Sequence, residues 1–160
     1  MQVKIAQKEG LHFNATTARG VEFVIQPKEH ISPLEYFALG LISCTGTDLV
    51  MLPQKQGFEA KNITIAADLE KSEQAPFRFH TIHIDYRFDS EADDQLARRW
   101  VLSSMESYCT TINTVRGSAK IFYSITHNGQ LIADRESIHS GSADAMGEAA
   151  EAANAGACPA

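Results

Sequence analysis

At 160 residues, with 44% hydrophobic and 21% charged side chains, the chain has the make-up of one globular domain or one subunit of an intertwined dimer. Its 14 basic and 20 acidic side chains leave a net charge of -6, which argues against a nucleic-acid backbone or an anionic membrane surface as the main partner. No run approaches the roughly 20 apolar residues of a membrane span, and Met1-Gln2-Val3-Lys4-Ile5-Ala6 alternates where a signal peptide would be apolar, so a cytoplasmic chain is expected.

The first 30 residues predict three short antiparallel strands, because Val3 and Ile5, Leu11 and Phe13, and Val21, Phe23 and Ile25 alternate with a period near two. Ser32-Pro33-Leu34-Glu35 then opens a helix with serine as cap, proline at the first helical position and glutamate closing a capping box. Its apolar positions are Leu34, Phe37, Leu41, Cys44, Val50 and Met51. Gly40 and Gly46 inside that run predict close approach by another element, Pro53 a kink or an end, and Gly57 closes the segment. Two strands are expected at about 60–69 and 77–88, with a bulge or slip at His80 where the alternation changes phase between Phe79 and Ile82.

Asp89-Ser90-Glu91 predicts the start of a second long helix, with acidic groups in its first turn. Its stripe runs Ala97, Val101, Met105, Tyr108, Ile112 and Val115, and Gly117 ends it. A final hairpin is expected to turn at Asn128-Gly129. Residues 1–137 are read as a single domain and 138–160 as an alanine-rich, acidic, mobile tail.

Cys44 lies on the apolar face of the first helix, and Cys109 on that of the second, four residues after Met105. No pair has Cys-x-x-Cys spacing, so neither a zinc ribbon nor a thioredoxin motif is expected. Facing positions on two packed helices can bring cysteines within disulfide reach. Free cysteine is also a common core filler, so spacing alone leaves redox chemistry and packing both open. His80 and His83 have odd spacing on one strand and point to opposite faces, which argues against a shared metal. Cys158 stands in the tail and reads as incidental.

The stretch Ser32-Pro33-Leu34-Glu35-Tyr36-Phe37-Ala38-Leu39-Gly40-Leu41-Ile42-Ser43-Cys44-Thr45-Gly46 resembles the first-cysteine helix of the OsmC/Ohr family, with eleven residues from proline to cysteine. Leu102-Ser103-Ser104-Met105-Glu106-Ser107-Tyr108-Cys109-Thr110-Thr111 resembles the second-cysteine helix, and the element order agrees over about residues 1–133. The details are closest to the OsmC-like branch. The resemblance implies an α+β fold of antiparallel strands and two long cysteine helices, built as an interlocked homodimer with active sites at the subunit interface. It implies a peroxidase for organic hydroperoxides, and less well hydrogen peroxide, with Cys44 as peroxidatic thiol and Cys109 as resolving thiol. A dithiol reductant would regenerate the pair, with no organic cofactor and no metal. The alternative is a non-catalytic OsmC-like dimer that binds an apolar ligand.

Only a thiolate attacks peroxide, and a free cysteine is about 3% ionised at pH 7. Cys44 lies too far along its helix to feel the dipole, and burial would raise its pKa, so a nearby cation is expected as a necessity. The family uses an arginine held by a glutamate. Carried over, these roles fall to Arg19, from the N-terminal strand region, and Glu35. Arg116, two helical turns after Cys109, is the rival arginine, while Arg98 and Arg99 read as a solvated face. Glu35 is separated from Cys44 by about 13 Å of helical rise and cannot reach it along its own helix; its other reading is the capping box.

Overall fold

The computed structural model describes residues 1–138. The predicted tail beyond that point, with Cys158, lies outside the described residues. The chain divides into two compact units, Met1–Leu39 and a larger one that begins at Gly40.

In the first unit, β1 (Lys4–Glu9), β2 (His12–Thr16) and β3 (Glu22–Ile25) form an antiparallel sheet in that order, as the alternation predicts. Gly10 makes the first turn at a φ of +52°, where a side chain would be strained. The sheet leaves apolar side chains on the surface: Val3 is 65% exposed, Ile5 60% and Val24 46%. Helix α1 (Pro33–Lys55) starts in this unit with its capping box formed. The Ser32 N–H donates to the Glu35 carboxylate at 2.7 Å, and the Glu35 N–H to the Ser32 hydroxyl at 3.2 Å.

In the second unit, β4 (Lys61–Lys71), β5 (Phe79–Asp89), β6 (Lys120–His127) and β7 (Gln130–Ser137) make a sheet in sequence order. The register shifts where Glu70 faces Thr81 but Lys71 faces Phe79, so His80 is the extra residue of a bulge. Strands β5 and β6 are parallel. A parallel pair needs a long crossover, supplied here by α2 (Asp94–Ser103), a π-helical turn (Ser104–Tyr108) and α3 (Thr110–Val115). Ile82, Ile84, Tyr86 and Phe88 alternate inward from β5 and meet Trp100, Val101, Met105 and Ile112 of the crossover, with Leu41 and Leu49 of α1. Each such fully buried side chain contributes roughly 1.5–3 kcal/mol of hydrophobic stabilisation. A Cβ on Gly46 would meet Ile65 Cδ1 at 3.3 Å, the predicted close approach, whereas Gly40 has nothing within 4 Å. Asn128 (φ 49°) and Gly129 (φ 78°) make the β6–β7 turn.

Three expectations need correction. The second helix does not begin at Asp89; it begins at Asp94, because Asp93 accepts the Leu96 N–H and caps it. Nor is it continuous: it breaks at Cys109. Finally, the 23-residue α1 does reach membrane-spanning length and hydropathy. Its Leu41, Thr45, Asp48, Leu49 and Pro53 are nonetheless buried in protein, with the proline carried inside the helix and Gly57 ending the segment at a φ of +80°.

Candidate active site

The break in the second helix builds the site. In the π-helical turn the Cys109 N–H reaches back to the Ser104 carbonyl at 2.8 Å, and Cys109 itself is extended, at φ -72° and ψ 102°. A new helix must then start, and its first N–H groups have no carbonyl behind them. Two find sulfur instead: the Thr111 N–H donates to Cys44 and the Ile112 N–H to Cys109. The Thr111 hydroxyl lies 3.1 Å from Cys109 Sγ, and its single proton is shared among Cys109, Cys44 and the Leu41 carbonyl at 3.4 Å. The Cys109 thiol donates to Cys44, so the two sulfurs from different helices are neighbours, and both are free thiols. Cys44 is half-buried; Cys109 is fully buried.

These surroundings push the two thiols apart. Burial raises Cys44, but the Thr111 N–H, the Cys109 thiol and the Thr111 hydroxyl together outweigh it and hold Cys44 below the usual cysteine value. Burial pushes Cys109 up to about 12, helped by its bond to Cys44 and that neighbour's charge, against the Thr111 and Ile112 donors. Of the two, Cys44 is therefore the thiol that ionises first, and Cys109 the one that holds its proton longer. N–H and O–H donors at the start of α3 lower Cys44 because they favour its charged form.

Beneath the pair lies a buried polar chain that the sequence reading missed. The Ser104 hydroxyl donates to Asp48 at 2.7 Å. Its single proton being committed, Ser104 accepts from Thr45 at 2.8 Å, and Thr45 accepts from Tyr86 at 2.9 Å. Burial raises both ends, keeping Tyr86 a phenol and lifting Asp48 above the ordinary carboxylate value against Ser104 and Lys55. Asp48 in turn opposes ionisation of Cys44. The available signal was its position, a carboxylate four residues after Cys44 within the apolar helix.

The sequence profile of OsmC-like proteins matches residues 26–124, more than half the chain and both cysteine helices. The chain belongs to the OsmC-like family. Solved structures share the fold. An OsmC-like protein from Mycoplasma pneumoniae aligns with a TM-score of 0.71 at 13% identity, over 79% of this chain and 95% of its own. A hypothetical protein from Aquifex aeolicus VF5 gives 0.68 at 23% identity, over 79% and 96%. The organic hydroperoxide resistance protein OhrB of Bacillus subtilis gives 0.55 at 19% identity, over 79% and 98%. Among curated proteins nothing matches.

The other expected site residues of this OsmC-like protein lie on several elements. Glu35 is engaged with Ser32, whose side-chain and backbone bonds hold its carboxyl below the usual range. Arg19 sits in the β2–β3 turn of the first unit. Arg116 donates to the Glu106 carbonyl at 3.3 Å, tying down the π-helical turn. Arg98 and Arg99 are half-buried and not on a solvated face; Arg98 bonds the Tyr123 hydroxyl and Glu136. His83 bonds Ser124 at 2.9 Å, and His80 lies beside Thr81.

Proposed function

We propose that this protein is a thiol-dependent peroxidase that reduces organic hydroperoxides, and hydrogen peroxide less well. The carrying observation is the adjacent pair of free thiols, with hydrogen-bond donors holding Cys44 below the usual cysteine value and burial pushing Cys109 above it. The name of the Bacillus subtilis relative, an organic hydroperoxide resistance protein, supports the same reading.

The Cys44 thiolate attacks the terminal peroxide oxygen, the O–O bond breaks, and the alkoxide leaves as alcohol after taking a proton from solvent. Cys44 becomes a sulfenic acid. With the negative charge on Cys44 gone, two of the influences that raise Cys109 disappear, while the Thr111 and Ile112 donors stay. Cys109 then loses its proton, its sulfur displaces hydroxide from the sulfenic acid, and a disulfide and water form. An external dithiol reduces the disulfide.

The exposed apolar side chains of the first unit support a homodimer, since such patches usually mark an interaction surface. In it, Arg19 with Glu35, or alternatively Arg116, would orient the peroxide. A cytoplasmic setting fits two thiols that must be re-reduced.

Cumene hydroperoxide loss, followed with dithiothreitol, tests the reading. Wild type turns over and Cys44→Ser does not; Cys109→Ser fails when reductant is limiting. Turnover that survives Cys44→Ser overturns the assignment, and wild-type protein with no turnover leaves the ligand-binding alternative.

A further inference from the structure

Away from the cysteines, three side chains from separate stretches of the second unit converge. Ser90 follows β5, His127 ends β6, and Asp94 opens α2. Ser90 Oγ lies 2.8 Å from His127 Nε2, and His127 Nδ1 lies 2.7 Å from Asp94 Oδ1. The imidazole is fully buried, with its ring 5.2 Å from that of Phe88, while the Asp94 side chain is 52% exposed. A solvent-facing carboxylate can only accept, so it takes the proton on Nδ1. With the proton on Nδ1, Nε2 presents a lone pair to which the Ser90 hydroxyl donates. That is the orientation in which a carboxylate-held imidazole activates a hydroxyl nucleophile.

The Ser90 backbone is clamped at both ends. Its N–H donates to Asn128 Oδ1 and its carbonyl accepts from Asn128 Nδ2, each at 3.0 Å. Ser90 also lines a cavity of about 380 Å³ whose wall carries Glu59, Asp89 and Glu91 against one cation, Lys61. The Ser90 hydroxyl oxygen also accepts the Ala92 N–H at 3.3 Å.

We propose that Ser90, His127 and Asp94 form a second catalytic site that hydrolyses small carboxylic esters, preferring neutral or cationic ones. Ser90 Oγ bonds to the ester carbonyl carbon as its proton passes to His127 Nε2. The tetrahedral adduct collapses, the bond to the leaving oxygen breaks, and the alcohol departs with that proton. Water attacks the acyl-serine by the same route, releasing the acid and restoring the hydroxyl. Asp94 holds Nδ1–H throughout; Lys61 on the cavity wall is paired with Glu59 at 3.1 Å. The acidic wall repels carboxylated esters.

The test uses the full chain carrying Cys44→Ser and Cys158→Ser, so that neither thiol cleaves the ester. A fluorophosphonate probe is expected to label Ser90, located by peptide mass spectrometry. Hydrolysis of p-nitrophenyl acetate and acetylcholine is expected to exceed that of p-nitrophenyl succinate. Ser90→Ala should abolish labelling and hydrolysis; Asp94→Asn, which imposes the wrong tautomer, should slow both by about a hundredfold or more at unchanged circular dichroism. Folded protein with Ser90 unlabelled, or hydrolysis that persists in Ser90→Ala, overturns the site. A preference for the succinate ester overturns the substrate class.

Discussion

Replacing Asp48 with asparagine probes the thiol site most directly. Asp48 stands four residues after Cys44 on α1, a spacing that puts Cβ atoms about 5–6 Å apart. A unit charge at about 6 Å is worth about 0.7 kcal/mol in bulk water and about 2.8 kcal/mol at an effective dielectric of 20. Half-buried Cys44 falls between these limits. At 1.36 kcal/mol per pKa unit, Asp48→Asn should lower the Cys44 pKa by roughly half a unit to two units. The amide oxygen still accepts from Ser104, so the polar chain survives. Around Asp48 stand Tyr86 and Tyr108, both raised by burial, along with Lys55 and the two thiols. The difference should close at acid pH, where Asp48 is protonated and as neutral as asparagine. The assay is peptide-resolved iodoacetamide alkylation of Cys44 across pH, read with ultraviolet thiolate absorbance. A Cys44 titration that stays put, or moves upward, refutes the claim that the Asp48 charge opposes the thiolate.

The same variant has a stability signature. Because burial raises Asp48 in the folded chain, the stabilisation linked to its proton is present at low pH and lost as pH rises through the folded value. Asp48→Asn should therefore raise the urea midpoint at neutral pH and change it less in acid. Thr111→Val keeps the N–H donor but removes the hydroxyl. A hydrogen bond to a charged group contributes about 1.5–3 kcal/mol, so Cys44 should titrate about one to two units higher and alkylate about tenfold or more slower at neutral pH; an unchanged rate would mean the N–H suffices. Ser104→Ala strips a buried donor from Asp48 and an acceptor from Thr45. Urea unfolding should show a loss of about 1–3 kcal/mol, and no loss would mean the polar chain is not structural.

What the sequence disclosed follows from how local each signal was. The Ser32–Glu35 box, the Asn128-Gly129 turn and the phase change at His80 are each contained within a few residues, so pattern sufficed. The break at Cys109 was hidden because the stripe Val101, Met105, Tyr108, Ile112, Val115 keeps helical spacing straight through it. The start of α2 was misplaced because Asp89-Ser90-Glu91 has the chemistry of a cap, yet Ser90 is spent on His127 and Asn128. The polar chain joins Asp48 and Thr45 to Ser104 and Tyr86, residues 41 to 59 positions away from Thr45 or Asp48. No local pattern carries such a pairing. For the cysteines, period placed both on inward faces, but the donors that set them apart came from the break itself.

The parallel pairing of β5 with β6 also fixes when the thiols acquire their character. Those strands cannot align until the whole crossover between them has been synthesised and docked, and contacts between distant segments form slowly. On a growing chain Cys44 therefore emerges with the reactivity of any unstructured cysteine, long before Thr111 exists to donate to it. Its nucleophilicity is a property of the finished fold, switched on at the end of folding.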